Sequence, residues 1–223
     1  MDDQPGRDGV RDTYDRIAPH FSQTREYPWP EVETFLEGIG PVTQALDVGC
    51  GNGRHSELLA SDAERVLGLD VSHGLLDEAR TRVDEADVGD AVALVQGDAS
   101  TLPLCAETVD VAVYVATLHH LPERQLRVAS LDELARVLAA DGRALVSTWS
   151  TAHDRFDADE GFDTTVDWTL PGGECVPRYY HIYDPEEFRA DLAESALEPL
   201  DVYVSSGNCY AEVTAPEKGN IHK

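Results

Sequence analysis

Lysine is almost absent from this chain. Its 223 residues hold two, Lys218 and Lys223, beside fifteen arginines. Against these stand 43 acidic residues, so the formal charge is −26. That balance argues against a broad basic platform for nucleic acid and leaves a local one open. Cysteine is scarce too. Cys50, Cys105, Cys175 and Cys209 form no Cys-x-x-Cys pair, which excludes a disulfide scaffold and a zinc site built from these cysteines alone. No apolar run approaches the roughly 18 residues that span a bilayer; the longest, Val111 to Ala116, is strand-sized. Met1-Asp2-Asp3-Gln4-Pro5-Gly6 is acidic and polar, unlike a signal peptide. These absences predict a cytoplasmic protein with no membrane partner.

What remains is enough for a core. Hydrophobic residues make up 42% of the chain, which rules out wholesale disorder. An acidic surface repels itself in dilute buffer, yet molar salt shortens the screening length to about 3 Å. The Asp-rich, Lys-poor composition therefore predicts a halophilic setting.

The pattern predicts helices at 8–20 and after Pro28-Trp29-Pro30, the latter ended by Gly38 and Gly40. Strands follow at 45–48, 65–70, 91–96, 109–116 and 143–149. Helices at 52–61, 72–86 (opened by Ser72 as N-cap) and 123–140 (closed by Asp141-Gly142) alternate with them. The segment 151–183 breaks this rhythm, being acidic, turn-rich and aromatic. A helix at 185–195 and strands at 200–205 and 208–213 complete the reading. Such alternation implies a doubly wound α/β domain, its parallel sheet covered on both faces, with a C-terminal antiparallel hairpin. We expect one domain over 1–223: a helical lid at 1–40, a cofactor-binding core at 41–150 and a substrate-side segment at 151–223.

Leu46-Asp47-Val48-Gly49-Cys50-Gly51-Asn52-Gly53 is the sharpest local feature. It follows a strand and opens a helix, the setting in which a glycine loop binds a ligand. Asp70 ends the next strand, where a carboxylate accepts both hydroxyls of a ribose. The spacing is Gly-x-Gly-x-Gly, one residue shorter than a dinucleotide fingerprint. Asp47 would repel a pyrophosphate but attract the ammonium of a methionine moiety, and Asp98 after the third strand suits an adenine amino group. These features favour S-adenosylmethionine over a nucleotide cofactor or a purely structural turn. Tyr14, Gly49, Cys50, Gly51, Asn52, Gly53, Val71, Ala99 and Val115 complete the expected cofactor site, and no metal ligands are assigned.

The exit of the fourth strand reads Val115-Ala116-Thr117-Leu118-His119-His120. It has no Asn-Pro-Pro-Tyr clamp for an exocyclic amine and no cysteine for covalent attack on a pyrimidine ring. An intrinsically nucleophilic acceptor remains: an oxygen, a carboxylate, a sulfur or an enolate carbon. A carboxylate is already ionised at pH 7 and needs only orientation and partial desolvation.

Ile17-Ala18-Pro19-His20-Phe21-Ser22-Gln23-Thr24-Arg25, then Pro28-Trp29-Pro30, resembles the N-terminal signature of one family. The glycine loop, Leu118-His119-His120, Trp149 and Arg178-Tyr179-Tyr180-His181 recur in the same order. The family is that of the tRNA wobble-uridine carboxymethyl methyltransferases, which are class I enzymes with a seven-stranded Rossmann-like sheet that esterify 5-carboxymethyluridine. The resemblance spans roughly residues 10 to 205. Asp154 to Asp167 and Ser206-Gly207-Asn208-Cys209-Tyr210 depart from it. It implies that His20, Thr24 and Arg25 close over the methionine end. It further implies that Arg25, His119, His120, Trp149, Arg178 and His181 surround the acceptor in a tRNA anticodon loop. Arginine offers a fork to a carboxylate, histidine a hydrogen bond, and tryptophan a stacking face for uracil. The resemblance also implies a heterodimer with a small zinc-ribbon activator protein that adds a strand at the 91–96 edge. Other readings are a small-molecule O- or C-methyltransferase and a non-catalytic cofactor-binding protein.

Overall fold

The computed structural model describes residues 7–216; Met1 to Gly6 and the two lysines lie outside the described residues. Two helices open the chain, α1 (Arg7–Gln23) and α2 (Pro30–Glu37). Then follow β1 (Val42–Val48), α3 (Arg54–Leu59), β2 (Ala63–Asp70), α4 (His73–Glu85), β3 (Val92–Gln96) and β4 (Val109–Val115). A short 3-10 turn at Leu118–His120 leads to α5 (Arg124–Val137) and β5 (Leu138–Trp149). The hairpin β6 (Phe162–Thr169) and β7 (Cys175–Ile182), then α6 (Pro185–Glu194), β8 (Glu198–Ser205) and β9 (Asn208–Thr214), complete the described fold.

Seven strands form one sheet in the order β3-β2-β1-β4-β5-β9-β8. The first five are parallel and β9 runs antiparallel between β5 and β8. Both faces are buried, and side-chain alternation sorts them. Val111, Val113, Val115 and Leu145 face α2, α3 and α4. Ala112, Tyr114, Ala144 and Val146 face Leu131 and Leu134 of α5 and Phe188 of α6. The doubly wound sheet with its C-terminal hairpin is therefore the one expected.

Three local expectations need correction. Helix α5 stops at Val137, not at Asp141-Gly142, because Leu138 leaves the helix with φ −62 and ψ 134 and begins a twelve-residue strand. Helix α3 begins two residues later than expected, since Gly53 sits at φ +79 in left-handed backbone. The stretch 151–183 is only half loop. Residues 162–182 form the β6–β7 hairpin, paired from Phe162↔Ile182 to Thr169↔Cys175.

This hairpin packs over the carboxyl end of the sheet. Trp168, Leu170 and Val176 join Tyr14, Ile17 and Leu75 in a small cluster that clamps it to α1. Asp15 accepts from Ser72 Oγ (2.6 Å) and Gly74 N (2.9 Å), fixing α1 to the start of α4. At the sheet edge β3 has one neighbour, β2, among the described residues.

Candidate active site

A cavity opens where the parallel strands end. The glycine loop forms its floor, with Gly49, Gly51 and Gly53 at φ +70, +56 and +79. A Cβ at Gly49 would stand 2.1 Å from Thr117 Oγ1, so no other residue fits there. At Gly51 the nearest atom to such a Cβ is on Phe21, 3.6 Å away, and that open space is the cavity itself.

Asp70 is the anchor of the cavity wall. Its two oxygens accept from Gly51 N and Ser72 N, each at 2.8 Å. Each oxygen keeps a lone pair free, which fits the pair of ribose hydroxyls of an adenosyl cofactor. Burial raises the Asp70 carboxyl to about 6, against the lowering effect of those backbone bonds. Asp98, held by Ser100, lines the cavity beyond it. The residues present therefore suit S-adenosylmethionine: diol acceptor, adenine wall and close-approach loop are all built.

Of the expected cofactor residues, Tyr14, Gly49, Cys50, Gly51, Asn52, Asp70, Val71, Asp98, Ala99 and Val115 line this cavity. His20, Thr24, Asp47 and Gly53 do not. Asp47 lies on the α3 face of β1, where its carboxylate accepts from Ser56 Oγ at 2.7 Å. Gly53 backs onto Ala79, 3.1 Å from where a Cβ would stand. His20 accepts from Trp168 Nε1 at 3.0 Å, and Thr24 bonds the Phe21 carbonyl. Asn52 lines the cavity, yet its amide donates to the Arg25 carbonyl at 2.9 Å. It thereby ties the segment after α1 to the glycine loop.

Above the cavity stands an aromatic and guanidinium cluster. Tyr180 stacks on Trp149 with centroids 4.7 Å apart, and His119 and His120 lie 4.9 and 4.5 Å from Tyr180. His120 Nδ1 donates to the Tyr179 carbonyl (2.9 Å), so Nε2 is the acceptor for Tyr14 O–H (2.8 Å). His119 Nδ1 accepts from Trp149 N at 3.1 Å. Burial holds His120 down at about 3 and His119 well below its ordinary range, so both rings are neutral. The positive charge comes from arginine. Arg178 lies 4.8 Å over Trp168 and 5.1 Å over Tyr180, and Arg25 lies 5.4 Å over the same Trp168. Neither forms an ion pair with a carboxylate among the described residues, and Arg178 Nε is buried without a partner among them. Burial and then the neighbouring Arg178 lower the Arg25 pKa.

His181 stands apart from that cluster. Strand alternation turns it to the opposite face of β7 from Arg178 and Tyr180. There its ring nitrogens meet Asp163 (2.8 Å) and Glu187 (2.9 Å). Asp163 also accepts from Tyr179 O–H at 2.7 Å. The sequence reading missed Trp168, on which both arginines lie. It missed Arg54, His55, Phe21 and Thr117 in the cavity as well. Position next to the glycine loop was the one signal that could have found Arg54. No cluster of three His, Cys, Asp or Glu able to hold a metal occurs among the described residues. No described helix is long and apolar enough to cross a membrane.

Comparison with known proteins agrees with this geometry. Residues 46–146 match the family model described as "Methyltransferase domain". A tRNA (carboxymethyluridine(34)-5-O)-methyltransferase from Saccharomyces cerevisiae is 35% identical over 76% of this chain and 59% of its own length. A protein from Encephalitozoon cuniculi described as a methyltransferase is 31% identical over 90% of this chain and 93% of its own. The chain spans only 21% and 33% of its tRNA methyltransferase relatives from Xenopus tropicalis and Arabidopsis thaliana. Among solved structures, a DhpI–SAM–HEP complex superposes with TM-score 0.75 at 20% identity, covering 96% of this chain and 99% of that one. A methyltransferase solved with the Haloferax volcanii Trm112 methyltransferase activator gives TM-score 0.67 at 16% identity, over 91% and 97%. The chain belongs to the class I S-adenosylmethionine-dependent methyltransferases and resembles, among them, the tRNA carboxymethyluridine methyltransferases.

Proposed function

We propose that this methyltransferase esterifies the carboxymethyl group of a wobble 5-carboxymethyluridine in the anticodon loop of tRNA. One observation carries the reading. Arg25 and Arg178 flank Trp168 beside the cofactor cavity, unneutralised by any described carboxylate, in a chain of net charge −26. Two guanidiniums left without anions amid so many acids suit an acceptor that brings its own carboxylate. Trp149 and Tyr180 supply flat faces for the base that carries it.

The bound cofactor supplies an electrophilic methyl group on a sulfonium. The chain's own residues aim the nucleophile. The acceptor carboxylate is ionised at neutral pH, so no general base is required, and the neutral His119 and His120 position rather than deprotonate. Partial removal of water by the aromatic cluster favours a reaction in which a carboxylate and a sulfonium lose their charges together. Tyr14 lines the cofactor cavity and bonds His120, joining the two halves of the site.

The free edge of β3 is where we place a small zinc-ribbon activator, by strand addition, in a heterodimer whose zinc belongs to the partner. Residues 1–40 act as the lid, 41–150 as the cofactor core and 151–223 as the substrate side, in a salt-rich cytoplasm. Labelled cofactor offered with bulk tRNA and, separately, with a small-metabolite extract tests the acceptor class. We expect label in tRNA from a strain lacking this gene. Transfer only to small metabolites would refute the reading.

A further inference from the structure

Resting on the tRNA reading above, we propose that His153 and Arg155 hold the nucleotide next to the wobble uridine, His153 stacking on its base and Arg155 pairing with its phosphate. The fold brings together the two segments that depart from the family pattern. The loop 150–161 between β5 and β6 meets the β8–β9 turn, where Ser150 N donates to the Gly207 carbonyl at 3.2 Å. Gly207 sits at φ +77, and a Cβ there would stand 2.6 Å from His153 Cβ. That turn is closed to any side chain because His153 fills the space.

Three flat rings run outward from the acceptor cluster. Tyr180 is buried and stacks on the half-buried Trp149 at 4.7 Å and 25°. Trp149 in turn lies beside His153 at 6.4 Å and 26°, and His153, last in the row, is exposed. Its position is fixed on two sides. Nδ1 accepts from Arg155 N at 3.0 Å, so the neutral ring carries its hydrogen on Nε2. Phe156, 6.1 Å from His153, anchors the loop on Trp149 and Phe162 at 6.2 and 5.8 Å. An exposed ring held in place at the end of a stack is a platform for one more base.

Arg155 adds a charge at the same place. Asp154, Asp157, Asp159 and Glu160 stand in its own loop, yet it forms no ion pair with a carboxylate among the described residues. Its charge reaches the acceptor cluster instead. Burial raises the Tyr180 hydroxyl, and Arg178, Tyr14, Arg25 and Arg155 in turn oppose the rise. An exposed guanidinium at the rim of the site, among acids that it does not pair with, suits a phosphate from outside. A nucleotide presents a flat face and an anion together, and the wobble uridine has one on either side of it in the chain.

Fluorescence anisotropy with a labelled anticodon stem-loop carrying 5-carboxymethyluridine tests it. His153→Ala should weaken binding about 5- to 10-fold, the low end for a base on an aromatic ring, and His153→Tyr should recover most of the loss. A stem-loop made abasic at one of the two neighbours of the wobble uridine should lose a similar factor, and His153→Ala should lose nothing further on it. Arg155→Gln should lower the slope of log affinity against log salt by about 0.7, the share of one phosphate on a single strand. Cofactor affinity by calorimetry should stay within about twofold in all three variants, which shows that they fold. Parental stem-loop affinity in His153→Ala would overturn the proposal, and so would a parental salt slope in Arg155→Gln. A loop that docks a protein instead would give both of those results. A parent that methylates no carboxymethylated tRNA sinks the tRNA reading and this inference with it. A parent that does so, with variants that bind the stem-loop as it does, sinks the inference alone.

Discussion

Burial raises both Asp47 and Asp70, and the shift shows in stability for the first and in cofactor affinity for the second. Burial raises Asp47 from the ordinary 3.8 to about 7, opposed by the Ser56 hydrogen bond. The native state therefore holds this proton more tightly than the unfolded chain does. The stabilising effect of that proton is complete below about 4 and lost as pH rises through about 7. Asp47→Asn, which cannot ionise, should melt higher than the parent at pH 8, with the gap closing toward pH 5. Thermal melts across that range check it, and a pH-independent gap would count against the assignment. Asp70 must lose its proton, held at about 6, to accept two hydroxyls. Cofactor affinity should fall about tenfold per pH unit below 6. Asp70→Ala should cost about 1–3 kcal/mol of binding at pH 7.5, read by calorimetry. Asp70 was legible from spacing alone, because a strand end is a fixed place in this fold. Asp47 was not, since one residue of strand alternation decides which face its carboxylate meets.

Elements built from strong periodicity came out near their expected bounds, and α4 with its Ser72 cap is an example. The β6–β7 hairpin did not announce itself. Its outer positions carry Asp163, Thr165, Asp167 and Thr169, and the acids read as loop, while the pairing that makes them strand is local to the hairpin. That hairpin brings Trp168 to Arg25 and Arg178, so missing it meant missing the ring on which both arginines of the proposed acceptor site lie. The β3 edge was legible. Ala91 O and Gly97 N bond to β2 and Val92 N bonds the Val88 carbonyl at 3.2 Å, so alternation leaves the N–H groups of 94 and 96 pointing outward. Leu94 itself packs toward Gly68, which makes a charged replacement a poor probe of the edge. Leu94→Pro removes one outward N–H and no bond to β2. Pull-down with a zinc-ribbon activator should be lost in this variant while cofactor binding survives. A parent chain that is soluble, monomeric and fully active alone would contradict the heterodimer.

At the scale of the molecule, charge governs conditions and the site governs chemistry. A surface of net charge −26 should gain stability as salt screens it, so the melting temperature should rise by several degrees between 0.1 and 2 M KCl. A flat or falling curve would argue against a salt-rich home. The same excess of acid gives the two unneutralised arginines their meaning, because an anion site survives in such a chain only where local structure keeps carboxylates away. The central claim is carboxylate esterification, and an ester is cleaved by mild alkali whereas a methyl on nitrogen or ring carbon is not. Labelled methyl should enter carboxymethylated tRNA and leave as methanol after brief alkaline treatment. Arg25→Ala and Arg178→Ala should cut that incorporation at least about tenfold with cofactor affinity little changed. Label that is absent, or that stays on the tRNA through alkali, would contradict the account.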